Sequence, residues 1–124
     1  MTLTYAKPAQ VVDNYLEALE KGDFERLRTC LSDSFTYQGP TVQFDNPEDF
    51  MSMIWRVGQI LNRIEKRKTF VDEQDVCSIM NFHIHIDEPK IVQVMQWARV
   101  KLGKITSIEV IFDATEYAAR FAAE

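Results

Sequence analysis

The feature that most constrains this chain is a change of hydrophobic period along its length. From residue 8 to residue 61, apolar residues recur every three or four positions on what read as helices; from about Thr69 onward they alternate, the signature of strands. Helices first and a run of strands afterwards imply an α+β fold, with helices lying across one face of a curled antiparallel sheet.

Local signals place the elements. Pro8 suits a first helical turn, Val11, Val12, Tyr15, Leu16 and Leu19 follow at helical spacing, and Gly22 supplies a stop. Asp23 reads as the N-cap of a short second helix carrying Leu27 and Leu31. Residues Ser34 to Gln38 alternate like a short strand that Gly39-Pro40 breaks. Asn46-Pro47-Glu48-Asp49 opens a third helix, whose apolar face runs from Phe50 to Leu61 and whose negative C-terminal end the basic run Arg63 to Lys68 would suit. Three long strands follow, Val76 to Ile86, Ile91 to Lys101 and Lys104 to Asp113, joined by turns at Asp87–Lys90 and Leu102-Gly103. An earlier strand near Lys68 to Val71 joins them, and Thr115 to Ala123 reads as a short amphipathic helix.

Composition sets the class. A chain of 124 residues, 46% apolar and 27% charged, can bury a core without disulfides, and no linker or repeat interrupts it, so residues 1–124 read as one domain. The net charge of −5 argues against nucleic acid or an anionic membrane surface as partner. Cys30 and Cys77 lack metal-ligand spacing, the N-terminus lacks a signal-peptide pattern, and no apolar run approaches membrane-spanning length. The expectation is a cytoplasmic protein with no metal and no cofactor.

Three stretches carry a family likeness: Asn14 to Asp23, Leu31 to Tyr37, and Gly103 to Asp113. In this order they resemble the nuclear transport factor 2-like superfamily, and most closely its SnoaL-like, ketosteroid-isomerase-like branch. The resemblance implies a cystatin-like cone, a conical barrel in which a curved, mostly antiparallel sheet and the N-terminal helices enclose one apolar pocket. It also implies a homodimer built on the sheet. Because the superfamily holds isomerases, hydratases, cyclases, epoxide hydrolases and non-catalytic modules, the fold alone names no activity.

By resemblance Ile108, Val110 and Phe112 face the pocket. A two-residue turn at Leu102-Gly103 would then put Gln93, Met95, Trp97 and Arg99 on the same concave face, and a turn centred on Pro89-Lys90 would add Met80, Phe82 and Ile84. Tyr15, Tyr37, Gln38 and Trp55 complete the expected lining and rim. Tyr15 matches the tyrosine of ketosteroid isomerases, but the positions of their two acids fall on Gln38-Gly39 and Met95, which cannot abstract a proton. Tyr37 resembles a tyrosine of limonene epoxide hydrolases, whose last-strand aspartate is here Val110. His83 and His85 share a strand face with Asn81 and could move protons near neutral pH. The preferred register puts them on the convex or dimer face; a one-residue shift would swing them into the cavity.

Two readings stand at this stage. One is a cofactor-free lyase, isomerase or cyclase acting on a small apolar, carbonyl-bearing, polyketide-like substrate, with Tyr15 as oxyanion donor and His83 or His85 as proton carrier. The other is a non-catalytic ligand-binding or protein-interaction module of the same fold.

Overall fold

Helix α1 (Pro8–Lys21) starts at its proline and ends at Gly22, whose φ of 71° lets the N–H groups of Gly22 and Asp23 close on the carbonyls of Leu19 and Ala18. The computed structural model describes residues 4–114, so the helix expected over Thr115 to Ala123 lies outside the described residues. Asp23 caps α2 (Phe24–Thr29) by accepting from the Arg26 N–H, and Asn46 caps α3 (Pro47–Ile60) by accepting from the Asp49 N–H at 2.9 Å. The strands are β1 (Leu31–Gln38), β2 (Gln43–Phe44), β3 (Leu61–Asp72), β4 (Asp75–Ile86), β5 (Glu88–Lys101) and β6 (Lys104–Ile111). They form one curved six-stranded sheet in the order β2-β1-β6-β5-β4-β3, antiparallel throughout except where β1 runs parallel to β6. Among the described residues no helix is long and apolar enough to cross a membrane.

The helices cover the concave face. Val12, Tyr15, Leu16 and Leu19 of α1, Leu27 of α2 and Phe50 and Ile54 of α3 are buried against Phe35, Val76, Met80, Ala98, Ile105 and Ile108 of the sheet. The Phe50 ring lies 4.8 Å from that of Phe35 and 4.9 Å from that of Tyr37, which ties α3 to β1.

Leu31, expected on the second helix, already opens β1, and three larger departures from the sequence reading bear on the site. The switch to strand comes at Leu61 rather than Thr69, because Leu61 is already extended where it ends α3. The basic run Arg63 to Lys68 therefore belongs to β3 and caps no helix. As an edge strand β3 pairs only with β4, and its charges keep that edge in water. Glu20 of α1 accepts from the Ile64 N–H at 2.6 Å and Lys66 pairs with Asp13 at 3.1 Å, which fastens the edge to α1.

The second departure is a bulge. The Leu102-Gly103 turn pairs Lys101 with Lys104 as expected, but Val100 then pairs with Ile105 and Arg99 with Ser107, leaving Thr106 as an extra residue in β6. One inserted residue inverts the faces of everything beyond it, so Gln96 pairs with Val110 and Trp97 with Glu109. The third departure is the turn between β4 and β5, which centres on Asp87, at φ 64°, with Ile86 opposite Glu88, rather than on Pro89-Lys90. This second change of phase offsets the first for β4, so Met80, Phe82 and Ile84 face inward although their expected partners on β5 do not.

Candidate functional site

Between the concave face and helices α1 and α3 lies a cavity of about 90 Å³. Tyr15 and Leu19 of α1 and Met53, Ile54, Val57 and Ile60 of α3 form one wall. Tyr37, Phe82, Ile84, Val92, Val94, Gln96, Val110 and Phe112 form the sheet wall and floor, and the turn Pro40-Thr41-Val42 closes one side. None of these lining residues is Asp, Glu, Lys, Arg or His. The polar atoms at the wall are the phenols of Tyr15 and Tyr37, the hydroxyl of Thr41 and the amide of Gln96.

Both phenols are held protonated. Burial pushes the Tyr37 hydroxyl up to about 12, and burial, with smaller contributions from Tyr37 and Cys30, pushes Tyr15 well above the ordinary phenol value. A phenol in this state donates a hydrogen bond but accepts no proton from a substrate, so it serves as an electrophilic contact rather than a base. Gln96 is 3% exposed, and its Nε2 is a buried donor with no hydrogen-bond partner.

The expected site residues divide sharply. Tyr15, Tyr37, Phe82, Ile84, Val110 and Phe112 line the cavity, while Met80 and Ile108 face the same way but are packed into the core. Gln93, Met95, Trp97 and Arg99 stand on the opposite, convex face, because the bulge at Thr106 turns the odd-numbered residues of β5 outward. There Trp97 Nε1 donates to Asp75 Oδ1 at 2.8 Å, Arg99 Nε donates to the same oxygen at 3.1 Å, and the Arg99 guanidinium lies over the Trp97 ring. The Trp97 hydrogen bond, followed by that from Arg99, holds the Asp75 carboxyl below the usual range. Gln38 is exposed, with Nε2 donating to the Gly39 carbonyl, and Trp55 projects from α3 at 53% exposure, away from the cavity.

His83 and His85 also sit on the convex face, since their neighbours Phe82 and Ile84 point inward. His83 Nε2 donates to Glu65 Oε1 at 3.0 Å, Asn81 Nδ2 donates to the same oxygen at 3.3 Å, and these contacts, His83 first, hold Glu65 below the usual carboxylate range. The sheet separates both imidazoles from Tyr15, so they do not form a catalytic group with it.

Sequence reasoning missed Val92, Val94 and Gln96, and the α3 residues Met53, Ile54, Val57 and Ile60 as cavity wall. The signal for β5 was present. Its even positions read Val92, Val94, Gln96, Ala98, Val100, whereas the odd ones include Gln93, Arg99 and Lys101, and charge belongs outside.

The sequence pattern of the SnoaL-like domain family matches residues 12–108. No curated protein sequence matches the chain. Among solved structures, the chain is similar to an NTF2-like protein of unknown function from Cytophaga hutchinsonii, at 22% identity and TM-score 0.77, covering 94% of this chain and 97% of the other. It is similar to an epoxide hydrolase of M. tuberculosis called LEH-like, at 18% identity and TM-score 0.76, covering 86% of this chain and 83% of the other. A protein of ketosteroid isomerase-like fold from Catenulispora acidiphila, in complex with trimethylamine, is similar at 17% identity and TM-score 0.76, covering 90% of this chain and 92% of the other. At these identities the likeness establishes the fold.

Proposed function

We propose that this chain, which belongs to the SnoaL-like domain family, binds a small, neutral, largely apolar molecule in the cavity between its helices and sheet. The observation that carries this reading is the cavity wall itself: apolar on nearly every side, with only uncharged polar groups and two phenols held in their donor form. Burial of ligand in such a space supplies affinity, and the few polar atoms orient it. A volume of about 90 Å³ is well below the roughly 300 Å³ of a drug-sized site, so the ligand is compact, on the scale of a single small ring. A lyase, isomerase or cyclase using His83 or His85 is not supported, because both imidazoles are across the sheet from the cavity. Of the two functional classes the sequence allowed, binding without turnover is therefore the better supported.

The test is a calorimetric titration with compact neutral compounds of single-ring size, run beside a Val92→Phe variant that fills the cavity. Saturable binding with a negative heat-capacity change, abolished in the folded variant, is expected. No saturable binding to the native chain, or chemical turnover of such a compound, would overturn it.

The convex face supports a second element of the proposal, a homodimer through the sheet. Ile79, Met95 and Ile111 lie side by side across β4, β5 and β6, flanked by Trp97 and Phe70, and Met95, Ile111, Trp97 and Phe70 are all about half exposed. A contiguous apolar row on one sheet suits a self-complementary two-fold contact. Sedimentation showing only monomer at tens of micromolar would refute it.

A further inference from the structure

We infer that Gln96 selects the ligand by chemistry, its side-chain amide donating a hydrogen bond to the carbonyl oxygen of an uncharged ketone or aldehyde. The inference rests on the cavity being a ligand site, as proposed above, and adds what the ligand must carry.

The register puts Gln96 at the middle of the sheet wall, between Ser78 of β4 and Val110 of β6, both directly paired with it. It is one of two buried polar residues among those described, and its Nε2 alone is a buried side-chain donor left without a partner. Native proteins leave few buried polar atoms unpaired, since each forfeits its hydrogen bonds to water without replacement. Gln96 lines the cavity, and a half-turn of its terminal amide exchanges the positions of Nε2 and the oxygen, so an occupant that supplies an acceptor would give the orphaned donor its partner.

The remaining polar groups narrow the acceptor. Tyr15 and Tyr37 are held protonated, so the wall offers further donors, whereas among the described residues no carboxylate or imidazole lines it to receive a proton from the ligand. A carbonyl oxygen takes hydrogen bonds and brings no donor of its own that needs satisfying. Among the described residues no Lys, Arg or His lines the cavity to offset the desolvation of an anion, so a carboxylate of the same size is rejected. A hydrocarbon of the same shape would fit but leave Nε2 unpaired, and a site built around a hydrogen bond discriminates against the analogue that lacks its partner.

Three probes and two chains test this: cyclohexanone, its apolar isostere methylenecyclohexane, and cyclobutanecarboxylate, which is no larger, at neutral pH, titrated into the native protein and Gln96→Met. The native chain is expected to bind the ketone about tenfold more tightly than the hydrocarbon, the scale of one hydrogen bond to an otherwise unpaired buried donor, and to bind the carboxylate least. Gln96→Met, close in size and without the amide donor, is expected to lose most of that preference, the remainder belonging to the Tyr15 and Tyr37 phenols and disappearing when both are replaced by Phe. Its melting temperature is expected to be no lower than that of the native chain, because an unpaired amide has been removed.

Equal binding of ketone and hydrocarbon by the native chain would overturn the role of Gln96 while leaving the pocket intact. An undiminished ketone preference in Gln96→Met, with a lowered melting temperature, would make the amide structural and overturn the inference. If neither neutral compound binds the native chain, the pocket reading fails and this inference falls with it.

Discussion

Raising the pH probes the cavity wall directly, because Tyr37 is held in its neutral form by burial. In the unfolded chain its hydroxyl ionises near 10.0, and in the folded protein near about 12. Between those values the unfolded state has lost a proton that the folded state keeps, so stability falls as pH rises through this window and is unaffected by Tyr37 below it. Because the folded-state hydroxyl is itself half ionised at pH 12, the loss there is about 2 kcal/mol, and the full two-unit value of roughly 3 kcal/mol is reached only above it. Tyr15, which burial raises well above the ordinary phenol value, acts in the same direction. The measurement is urea unfolding at several pH values from 9 to about 12, comparing the native chain with Tyr37→Phe, alongside the phenolate absorbance of the folded protein. The variant cannot ionise at this position, so its stability should decline less steeply, and the difference between the two curves should grow by about 2 kcal/mol across this range. The absorbance component missing from the variant should rise near about 12. If that component instead appears near 10.0 while the chain is still folded, Tyr37 is wetted, and the argument that both phenols serve as permanent donors fails.

Two further outcomes follow from the frame that holds the cavity. Asn46→Ala removes the acceptor for the Asp49 N–H at the start of α3 and should cost about 1 kcal/mol in urea unfolding; an unchanged midpoint would mean the cap contributes nothing. Deleting Thr106 removes the bulge but leaves Ile105 opposite Val100 and Ser107 opposite Arg99, so every pair beyond it keeps its face and cooperative thermal unfolding should survive; loss of a cooperative transition would show that the bulge itself is needed to bend the sheet.

Much of the frame was legible because its signals are local. Pro8 and Gly22 bound α1, and Asp23 and Asn46 cap the helices they precede, since a capping bond spans only three residues. Alternation likewise marked β4, β5 and β6, although the 2-residue β2, held by two pairs with β1, left no pattern to read. The basic run after α3 misled for a related reason: the same charges suit a helix end or an edge strand, and the choice depends on whether β4 lies alongside.

The candidate site divides along the same line. Tyr15 was legible from its place on a helix whose apolar stripe faces the sheet, and Val110 and Phe112 from the family likeness of the last strand. Gln96 was not, because the face a strand residue occupies depends on a count carried through every turn and bulge between it and a fixed reference. The sequence by itself determined the three helices and the strands β4 to β6, and its family likeness implied that their apolar sides enclose a hollow. Only the tertiary structure decided which side of β5 meets that hollow. Pairing across β6 absorbs Thr106 as a bulge and turns Gln96 inward, and Met95, Trp97 and Arg99 out to the opposite face.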